Sequence, residues 1–285
     1  MTLIDELRGE RTIVAAELRP PRAELAQREG MDAWIDTYHA VRGLTRRGVP
    51  VFLTDSAVGL QEEDNLRHLV ANLGSDVPRE RVVPFLTSKH TLDYCLSYAE
   101  RAWQHEFSSL VVLGGDKHVG PPRVFDHAWQ LRQAIRSREP KLTLGGWANP
   151  NAAASGQVDY LLANDFTAEY YLTQIVSHHT VAPVAAFIEE STRRGLTLPG
   201  LFGVFYYRSA KPQTLATLGR FLPVPAEDLT KEFATGASPA EVCARTIRAL
   251  RDVGVRHFYV SNLPLGRAQR TLDAIVKAAG LDELR

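Results

Sequence analysis

The chain has 285 residues, of which 45% are hydrophobic and 23% are charged, and its 33 basic and 33 acidic residues give a formal net charge of zero. This composition is typical of a globular protein and excludes a disordered, collagen-like or low-complexity chain. The balanced charge argues against a nucleic-acid partner and against an anionic membrane surface. Cys95 and Cys243 form no disulfide framework and no Cys-x-x-Cys pair, which indicates a reducing, cytoplasmic location.

The beginning of the chain, MTLIDELRGERT, is charged and has no apolar segment of the kind that a signal peptide requires. No apolar stretch approaches the length of about 18 residues that would indicate a membrane span. The sequence therefore predicts neither a secretory signal nor a membrane partner.

Short β-rich runs alternate with longer helical patterns along the chain. The first run, TIVAAEL, precedes a segment in which Trp34, Ile35, Tyr38, Val41 and Leu44 recur at helical spacing. The predicted strands are residues 12–18, 51–54, 81–87, 109–113, 141–146, 168–175, 198–204 and 255–260. The predicted helices are residues 31–47, 62–73, 92–105, 123–136, 155–164, 182–194, a region from Pro212 that Pro223 and Pro225 interrupt, 239–253 and 266–279.

Several of these strands, such as SSLVVLG and RHFYVS, are almost continuously apolar. Such runs are typical of parallel strands that are buried on both faces. Eight βα units in a chain of this length match a (β/α)₈ barrel, which takes roughly 250 residues, and an open doubly wound sheet is the alternative. No linker divides the chain, so we predict an α/β protein, a single-domain (β/α)₈ TIM barrel covering residues 1–285.

Acidic side chains at two strand ends are the first candidate site residues. Glu17 lies in the apolar strand AAELRPP, where burial would raise the pKa of its carboxyl group and suit it to act as a general acid. An ion pair with Arg19 or Arg22 is the alternative. Asp116 follows LVVLGG, whose glycines would let the backbone approach a ligand closely, and a carboxylate that only closes its own loop is equally compatible.

Amide, aromatic and histidine side chains at other strand ends suggest further roles. Gln174 ends the strand YYLTQ and offers both a donor and an acceptor to a heterocycle, or ties loops together. The aromatic run 205–207 suits either stacking on a flat ring or loop packing. His118 and the pair 178–179 match no established zinc spacing, so no metal site is predicted. The segments LGGD and LGGW match neither a dinucleotide-binding motif nor a phosphate-binding loop.

Six segments in chain order resemble the methylenetetrahydrofolate reductase family, whose fold is a (β/α)₈ barrel. They are AELRPPR, VPFLTSKH, VVLGGD, YYLTQ, LPGLFGV and GVRHFYVSN, and each lies at a predicted strand or strand end. The resemblance implies a cytoplasmic enzyme of one-carbon metabolism that reduces 5,10-methylenetetrahydrofolate to 5-methyltetrahydrofolate. NAD(P)H would supply the electrons, usually through bound FAD, and the sequence leaves a homo-oligomer open.

The resemblance also implies roles for individual residues. By position, Glu17 resembles the general acid that protonates N10 of the folate and opens its five-membered ring to a 5-iminium cation. Asp116 resembles the residue that binds the pterin and favours this cation by its charge. Gln174 resembles a folate-binding glutamine, and Phe205 belongs with the substrate-binding positions. The cofactor-binding positions are Thr54, Phe85, Gly115, Trp147 and Asn149.

The chain departs from the family mainly where the family binds FAD. Phe85 replaces a histidine, Gly114 an arginine, Ala163 a lysine that contacts the FAD phosphate, and Leu263 an arginine, while the segment 147–150 lacks a histidine. Loss of cationic groups weakens a pyrophosphate site directly. The sequence therefore predicts a reductase in which flavin binding is altered or absent and hydride passes directly from NAD(P)H.

Three alternatives remain open at this point. The first is an FAD enzyme in which other cations, namely Lys89, Lys117, Arg208 or Arg267, contact the phosphates. The second is another folate-dependent one-carbon enzyme, which transfers a methyl group or works in the oxidative direction. The third is a folate-binding barrel without catalytic activity, although simple binding does not require an acid at Glu17.

Overall fold

The computed structural model describes residues 2–21, 27–55, 70–71, 73–74 and 76–281. Within these residues, eight parallel strands form a closed barrel in which each strand pairs with the next along the chain and the last pairs with the first. The strands are β1 (Val14–Leu18), β2 (Val51–Leu53), β3 (Val82–Thr87), β4 (Ser109–Leu113), β5 (Thr143–Ala148), β6 (Tyr170–Val176), β7 (Gly200–Phe205) and β8 (His257–Ser261).

Helices follow the strands and surround the barrel. The α-helices among the described residues are α1 (Leu3–Arg8), α2 (Gln27–Thr45), α3 (Leu92–Gln104), α4 (Ala128–Arg138), α5 (Ala154–Leu162), α6 (Val181–Arg193), α7 (Pro212–Leu218), α8 (Ala226–Ala234), α9 (Pro239–Asp252) and α10 (Ala268–Ala278). Short 3₁₀ helices cover Arg79–Arg81, His178–Thr180 and Leu265–Arg267. None of the helices in the described part of the chain has the length and apolar character needed to cross a membrane.

The predicted (β/α)₈ barrel is confirmed, and the boundaries of its elements shift by a few residues. Strand β5 extends to Ala148, so Trp147 belongs to the strand rather than to the loop. Helix α4 begins at Ala128 instead of residue 123, because the segment before it folds back onto the loop after β4. The predicted helix 62–73 lies mostly outside the described residues, and the sequence did not predict α1.

Alternate residues of each strand pack on opposite sides of the barrel wall. On β1, Val14, Ala16 and Leu18 belong to the apolar layer that contacts the helices. Ala15 belongs to a second apolar cluster, which fills the barrel interior together with inward residues of the other strands. The interior residues include Phe52, Val83, Phe85, Val111, Tyr170, Leu172, Leu201, Phe205 and Tyr259.

Helix α1 closes the amino-terminal end of the barrel. Its Leu3 and Leu7 join the interior apolar cluster, and the Glu6 carboxylate lies 2.6 Å from the Arg81 guanidinium, which precedes β3. At the same end, burial lowers the pKa of His257 to about 4, and its Nδ1 accepts a hydrogen bond from the Ile13 N–H. Because this end is covered, the opposite end, where the strands terminate, is the one that loops can shape into a site.

Two buried tyrosines in the barrel wall depend on neighbouring glycines. A Cβ added at Gly203 would lie 2.4 Å from the Tyr259 hydroxyl oxygen, and one added at Gly145 would lie 2.7 Å from the Tyr170 ring. Both hydroxyl groups are held in place: that of Tyr259 donates to the Thr173 carbonyl, and that of Tyr170 lies 2.8 Å from Ser109 Oγ. These rings therefore have little freedom to move away.

We expect the Gly203→Ala substitution to destabilise the protein by about 1–3 kcal/mol, because the new methyl group overlaps the fixed Tyr259 hydroxyl. Gly156→Ala is the matched control, since a Cβ there meets open space on α5 and alanine favours a helix by up to about 1 kcal/mol. Urea unfolding of both variants measures the difference. Equal stability of the two variants would contradict the packing argument.

Candidate functional site at the carboxyl end of the barrel

The Glu17 carboxyl group lies at the mouth of the barrel, between the ends of β1 and β8. Its Oε1 accepts a hydrogen bond of 2.6 Å from the Ser261 hydroxyl group. Burial raises the pKa of Glu17, and the Ser261 hydrogen bond offsets part of this effect. The pKa of the neighbouring Tyr259 is also raised, mainly by burial and to a smaller extent by the negative charge of Glu17. The described partner of Glu17 is thus a neutral hydroxyl group; Arg22, one of its two possible ion-pair partners, lies outside the described residues.

Aromatic side chains line the barrel interior near the strand that carries this carboxyl group. The Phe52 ring, which pairs in register with Glu17, lies 6.0 Å from the Phe85 ring and 6.3 Å from the Tyr259 ring. Phe85 and Phe205 are buried in the interior cluster, and Trp147 packs against it while half-buried. The mouth of the barrel therefore combines the enclosed Glu17 carboxyl group with flat apolar surfaces.

Asp116 lies in the loop after β4 and closes that loop. Its Oδ1 accepts hydrogen bonds from the backbone N–H groups of His118 and Val119, at 2.7 and 3.1 Å. These hydrogen bonds, with the charges of His118 and Lys89, lower the pKa of Asp116. The structure thus shows the loop-closing role that the sequence left open, and it leaves the carboxylate ionised and half-exposed.

The glycines before Asp116 have a structural role in the loop, and their predicted approach to a ligand stays a prediction. Gly115 has a φ of 75°, a backbone conformation that favours glycine. A Cβ at Gly114 would lie 2.9 Å from the Arg123 guanidinium carbon, so this side chain fills the space that the glycine leaves. Arg123 in turn donates to the carbonyl groups of Gly115 and Asp126.

Lys89 is a buried cation that also binds this loop. Its Nζ donates to the carbonyl oxygens of Val119 and Pro121, at 2.7 and 2.8 Å. Arg208, at the end of β7, donates to the Asn262 carbonyl at 3.3 Å. Two of the four cations that could have replaced the missing phosphate contacts are therefore engaged with backbone carbonyl groups.

Gln174 and Asn149 organise the backbone around them. The Gln174 side-chain oxygen accepts from the Ile175 N–H at 2.8 Å, next to an irregularity in the pairing of β6 with β7. The Asn149 side-chain oxygen accepts from the backbone and side chain of Asn151, at 3.1 and 3.3 Å. Both amides remain half-buried at the carboxyl end of the barrel, and their predicted ligand roles stay predictions.

A polar group after β2 was not selected from the sequence. Thr54, a predicted cofactor position, donates its N–H to the Leu18 carbonyl at 3.1 Å. Beside it, Asp55 Oδ2 accepts from the N–H and hydroxyl groups of Thr87 and lies 2.8 Å from His90 Nε2. The same signal that selected Glu17, a polar side chain directly at a strand end, could have identified Asp55.

A second polar group was missed because its members are far apart in the chain. His178 and His179 follow β6, and both Nε2 atoms lie near Glu232 Oε2 on α8, at 3.3 and 3.0 Å. Although burial alone would raise the pKa of Glu232, hydrogen bonds from Arg245 and His179 lower it. No sequence spacing connects the histidine pair to Glu232, and His118 does not belong to this group.

Comparison with known proteins identifies the fold but no family. No protein-family model and no curated protein matches the chain. The chain is similar to a solved structure from Clostridium thermocellum, an uncharacterized protein described as binding two copies of 5-methyl-5,6,7,8-tetrahydrofolic acid. The TM-score is 0.65 and the sequence identity is 15%, and the match covers 97% of this chain and 98% of that one.

The chain is also similar to the carboxyl transferase domain of pyruvate carboxylase from Rhizobium etli, with a TM-score of 0.58 and 12% identity. This match covers 98% of the present chain and 45% of the Rhizobium chain. Likeness at such identities concerns the fold alone. Together, fold and site define a (β/α)₈ barrel that encloses a carboxyl group at its carboxyl-terminal mouth.

The raised pKa of Glu17 predicts a pH-dependent gain in stability for Glu17→Gln. A carboxyl group whose pKa is raised by folding contributes stability below its unfolded pKa, and this contribution is lost as the pH rises through the folded pKa. Glutamine has no charge to bury, so the variant should be more stable than wild type at about pH 8 and similar to it at about pH 4. Thermal unfolding at both pH values measures the difference in stability, since each kcal/mol changes the Tm by about 2 °C in a chain of this size.

Glu80→Gln is the control for this experiment, because Glu80 is exposed at the opposite end of the barrel. We expect its Tm to differ from that of wild type by the same small amount at both pH values. A Glu17→Gln variant that is less stable than wild type at the higher pH would contradict the enclosed, destabilising charge.

Proposed function

We propose that the protein binds a reduced folate at the carboxyl end of the barrel and reduces 5,10-methylenetetrahydrofolate to 5-methyltetrahydrofolate with NAD(P)H. The observation that carries this proposal is Glu17, an enclosed carboxyl group with a raised pKa at the mouth of the barrel. Such a group stays protonated at higher pH than an exposed glutamate and can act as a general acid. The similar barrel from Clostridium thermocellum, described as binding 5-methyl-5,6,7,8-tetrahydrofolic acid, supports the substrate class.

Glu17 would begin the reaction by donating its proton to N10 of the folate. The bond between N10 and the bridging carbon then breaks, its electron pair stays on N10, and N5 and the bridging carbon form an iminium double bond. Hydride from the reduced nicotinamide adds to that carbon with its electron pair and gives the 5-methyl group and NAD(P)⁺. The Ser261 hydroxyl group, bound to Oε1, would hold the carboxyl group so that Oε2 faces the substrate.

The other residues would orient the ligand and favour the cation. Phe205 and Trp147 offer flat surfaces to the ring systems. The Asp116 carboxylate, kept ionised by its backbone hydrogen bonds, would favour the positive iminium group by electrostatic attraction. Gln174 would offer its amide to the pterin edge.

The contacts of the same loops argue against the diphosphate of a resident FAD. Lys89 Nζ and the two terminal nitrogens of Arg123 donate to carbonyl oxygens of the β4 loop, whereas Arg123 Nε is buried and has no partner among the described residues. Phe85 and Leu263 are buried apolar side chains at positions where the family has cations. A diphosphate requires donors that remain available to it. We therefore propose that no flavin mediates the transfer and that hydride passes directly between the two bound substrates.

Anaerobic oxidation of NADH and NADPH tests this function. We expect purified, colourless protein without added flavin to oxidise one of them, in a reaction that depends on methylenetetrahydrofolate. The absorption spectrum of the protein, recorded beforehand, establishes whether flavin is present. Turnover that appears only with yellow protein or added FAD would contradict direct transfer, and the absence of turnover in both conditions would contradict the reductase.

Glu17→Gln separates catalysis from binding. Loss of the acid should lower turnover by about 10²–10⁴-fold. Folate affinity, measured by calorimetry, should stay close to that of wild type because glutamine keeps the shape and the acceptor for Ser261. Glu80→Gln should keep full turnover. The main rival is a folate-binding barrel without catalysis. The binding described for the Clostridium protein favours this rival. If it is correct, neither wild type nor the variants will show turnover.

Asp116→Asn tests the second carboxylate without opening its loop. The asparagine oxygen can accept the same two backbone N–H groups, so the Tm should be unchanged. Turnover should fall by at least about tenfold, since the charge opposite the iminium group is lost. Unchanged turnover would show that Asp116 only closes the loop, and comparison with Asp116→Ala then gives the contribution of the loop itself.

A further inference from the structure

Two neighbouring histidines and a glutamate form a compact set of possible ligands outside the barrel mouth. His178 and His179 form the short 3₁₀ helix after β6, and Glu232 comes from α8. One ligand atom from each lies within 4.8 Å of the others. All three side chains are shielded: their exposed fractions are 16%, 19% and 6%. The proposed reductase has no use for this group.

The spacing of these atoms agrees with coordination of one small cation. Zinc binds histidine nitrogen at about 2.0–2.1 Å and carboxylate oxygen at about 2.0–2.2 Å, so neighbouring ligands of a tetrahedral site lie about 3.3–3.4 Å apart. The distances from Glu232 Oε2 to the Nε2 atoms of His178 and His179 are 3.3 and 3.0 Å. These two distances are close to those of neighbouring zinc ligands, and all three ligand atoms lie within 4.8 Å of one another.

A hydrogen bond holds the far side of His178 and leaves Nε2 on the side of Glu232. His178 Nδ1 lies 2.8 Å from the Thr246 hydroxyl oxygen, and that hydroxyl group donates to the Val242 carbonyl. When His178 is neutral with its proton on Nδ1, the Thr246 oxygen accepts that hydrogen bond and Nε2 carries the lone pair. This nitrogen lies 3.3 Å from Glu232 Oε2, on the side where a cation would be bound.

Thr246 and Arg245 bind the far sides of His178 and Glu232, as hydrogen-bond partners of metal ligands commonly do. The Thr246 hydroxyl group binds Nδ1 and so orients the His178 ring, which is the role of an outer partner in metal sites. Arg245 binds the other carboxylate oxygen, Glu232 Oε1, at 2.6 Å and leaves Oε2 to the ligand position. The Arg245 side chain is 43% exposed, so water screens its charge from a bound cation.

We propose that His178 Nε2, His179 Nε2 and Glu232 Oε2 bind one zinc ion, with water as the fourth ligand. Two histidines and one carboxylate are a ligand set that zinc accepts with an open position for water. The ion would join the loop after β6 to α8, which belongs to the chain segment between β7 and α9. Gln174 lies just before this loop, so the ion would fix a wall of the barrel mouth without entering the hydride transfer.

Calorimetric titration with ZnCl₂ tests the site in the full chain, without a histidine tag and after dialysis against a chelator. We expect one equivalent of zinc and a rise in Tm on binding. His179→Ala and Glu232→Gln should weaken binding by at least about 100-fold, and Thr246→Val, which leaves His178 Nδ1 without its partner, by about 10–100-fold. His118→Ala, which removes an exposed histidine of the β4 loop, should bind zinc as wild type does.

Cobalt replaces zinc as a spectroscopic probe on the unmodified protein. One equivalent of Co²⁺ should give visible absorption bands of a four- or five-coordinate site, and one equivalent of Zn²⁺ should remove them. Failure of wild type to bind either ion at micromolar concentration would overturn the proposal, and so would equal binding by His179→Ala or Glu232→Gln. Because no folate or nicotinamide is present, failure here is independent of failure of the reductase.

Discussion

Closure of eight parallel strands into a barrel is the constraint on which the site depends. It directs alternate residues of β1 into the interior, so that Ala15 and Glu17 face inwards while Ala16 and Leu18 contact the helices. Glu17 is the last inward residue of its strand and lies where the apolar interior meets the mouth. The Phe52 and Tyr259 rings lie on the two strands that pair with β1, and burial raises the pKa of Glu17.

The enclosed Glu17 carboxyl group lowers the stability of the fold and stays protonated at a higher pH than an exposed glutamate. A carboxyl group that resists ionisation costs folding free energy at neutral pH, and a barrel can sustain that cost because its interior is densely packed elsewhere. The neighbouring Ser261 hydroxyl group limits the cost by binding Oε1 without supplying a charge. An arginine at the same place would stabilise the carboxylate and remove the proton that a general acid must donate.

The sequence predicted the parts that depend on local pattern. The eight strands were identified because each is an apolar run bounded by turn residues, and Glu17 because a single carboxyl group interrupts such a run. The sequence could not show that the side-chain oxygens of Asp116 and Gln174 accept hydrogen bonds from neighbouring backbone N–H groups, since these hydrogen bonds depend on loop conformation. Nor could it join Glu232 to the histidine pair, because that contact exists only after α8 folds against the loop following β6.

The two acidic residues of the proposed reaction need opposite protonation states at one pH, and their surroundings differ accordingly. Among the described residues, Glu17 accepts a hydrogen bond from the neutral Ser261 hydroxyl group, and burial raises its pKa. Asp116 sits on a half-exposed loop, and two backbone N–H groups lower its pKa. The two pKa values are therefore shifted in opposite directions, which widens the pH range in which a protonated acid and an ionised carboxylate coexist. Burial in the barrel raises the pKa of Glu17, and the turn after β4 lowers that of Asp116, so substitutions can change the two pKa values separately.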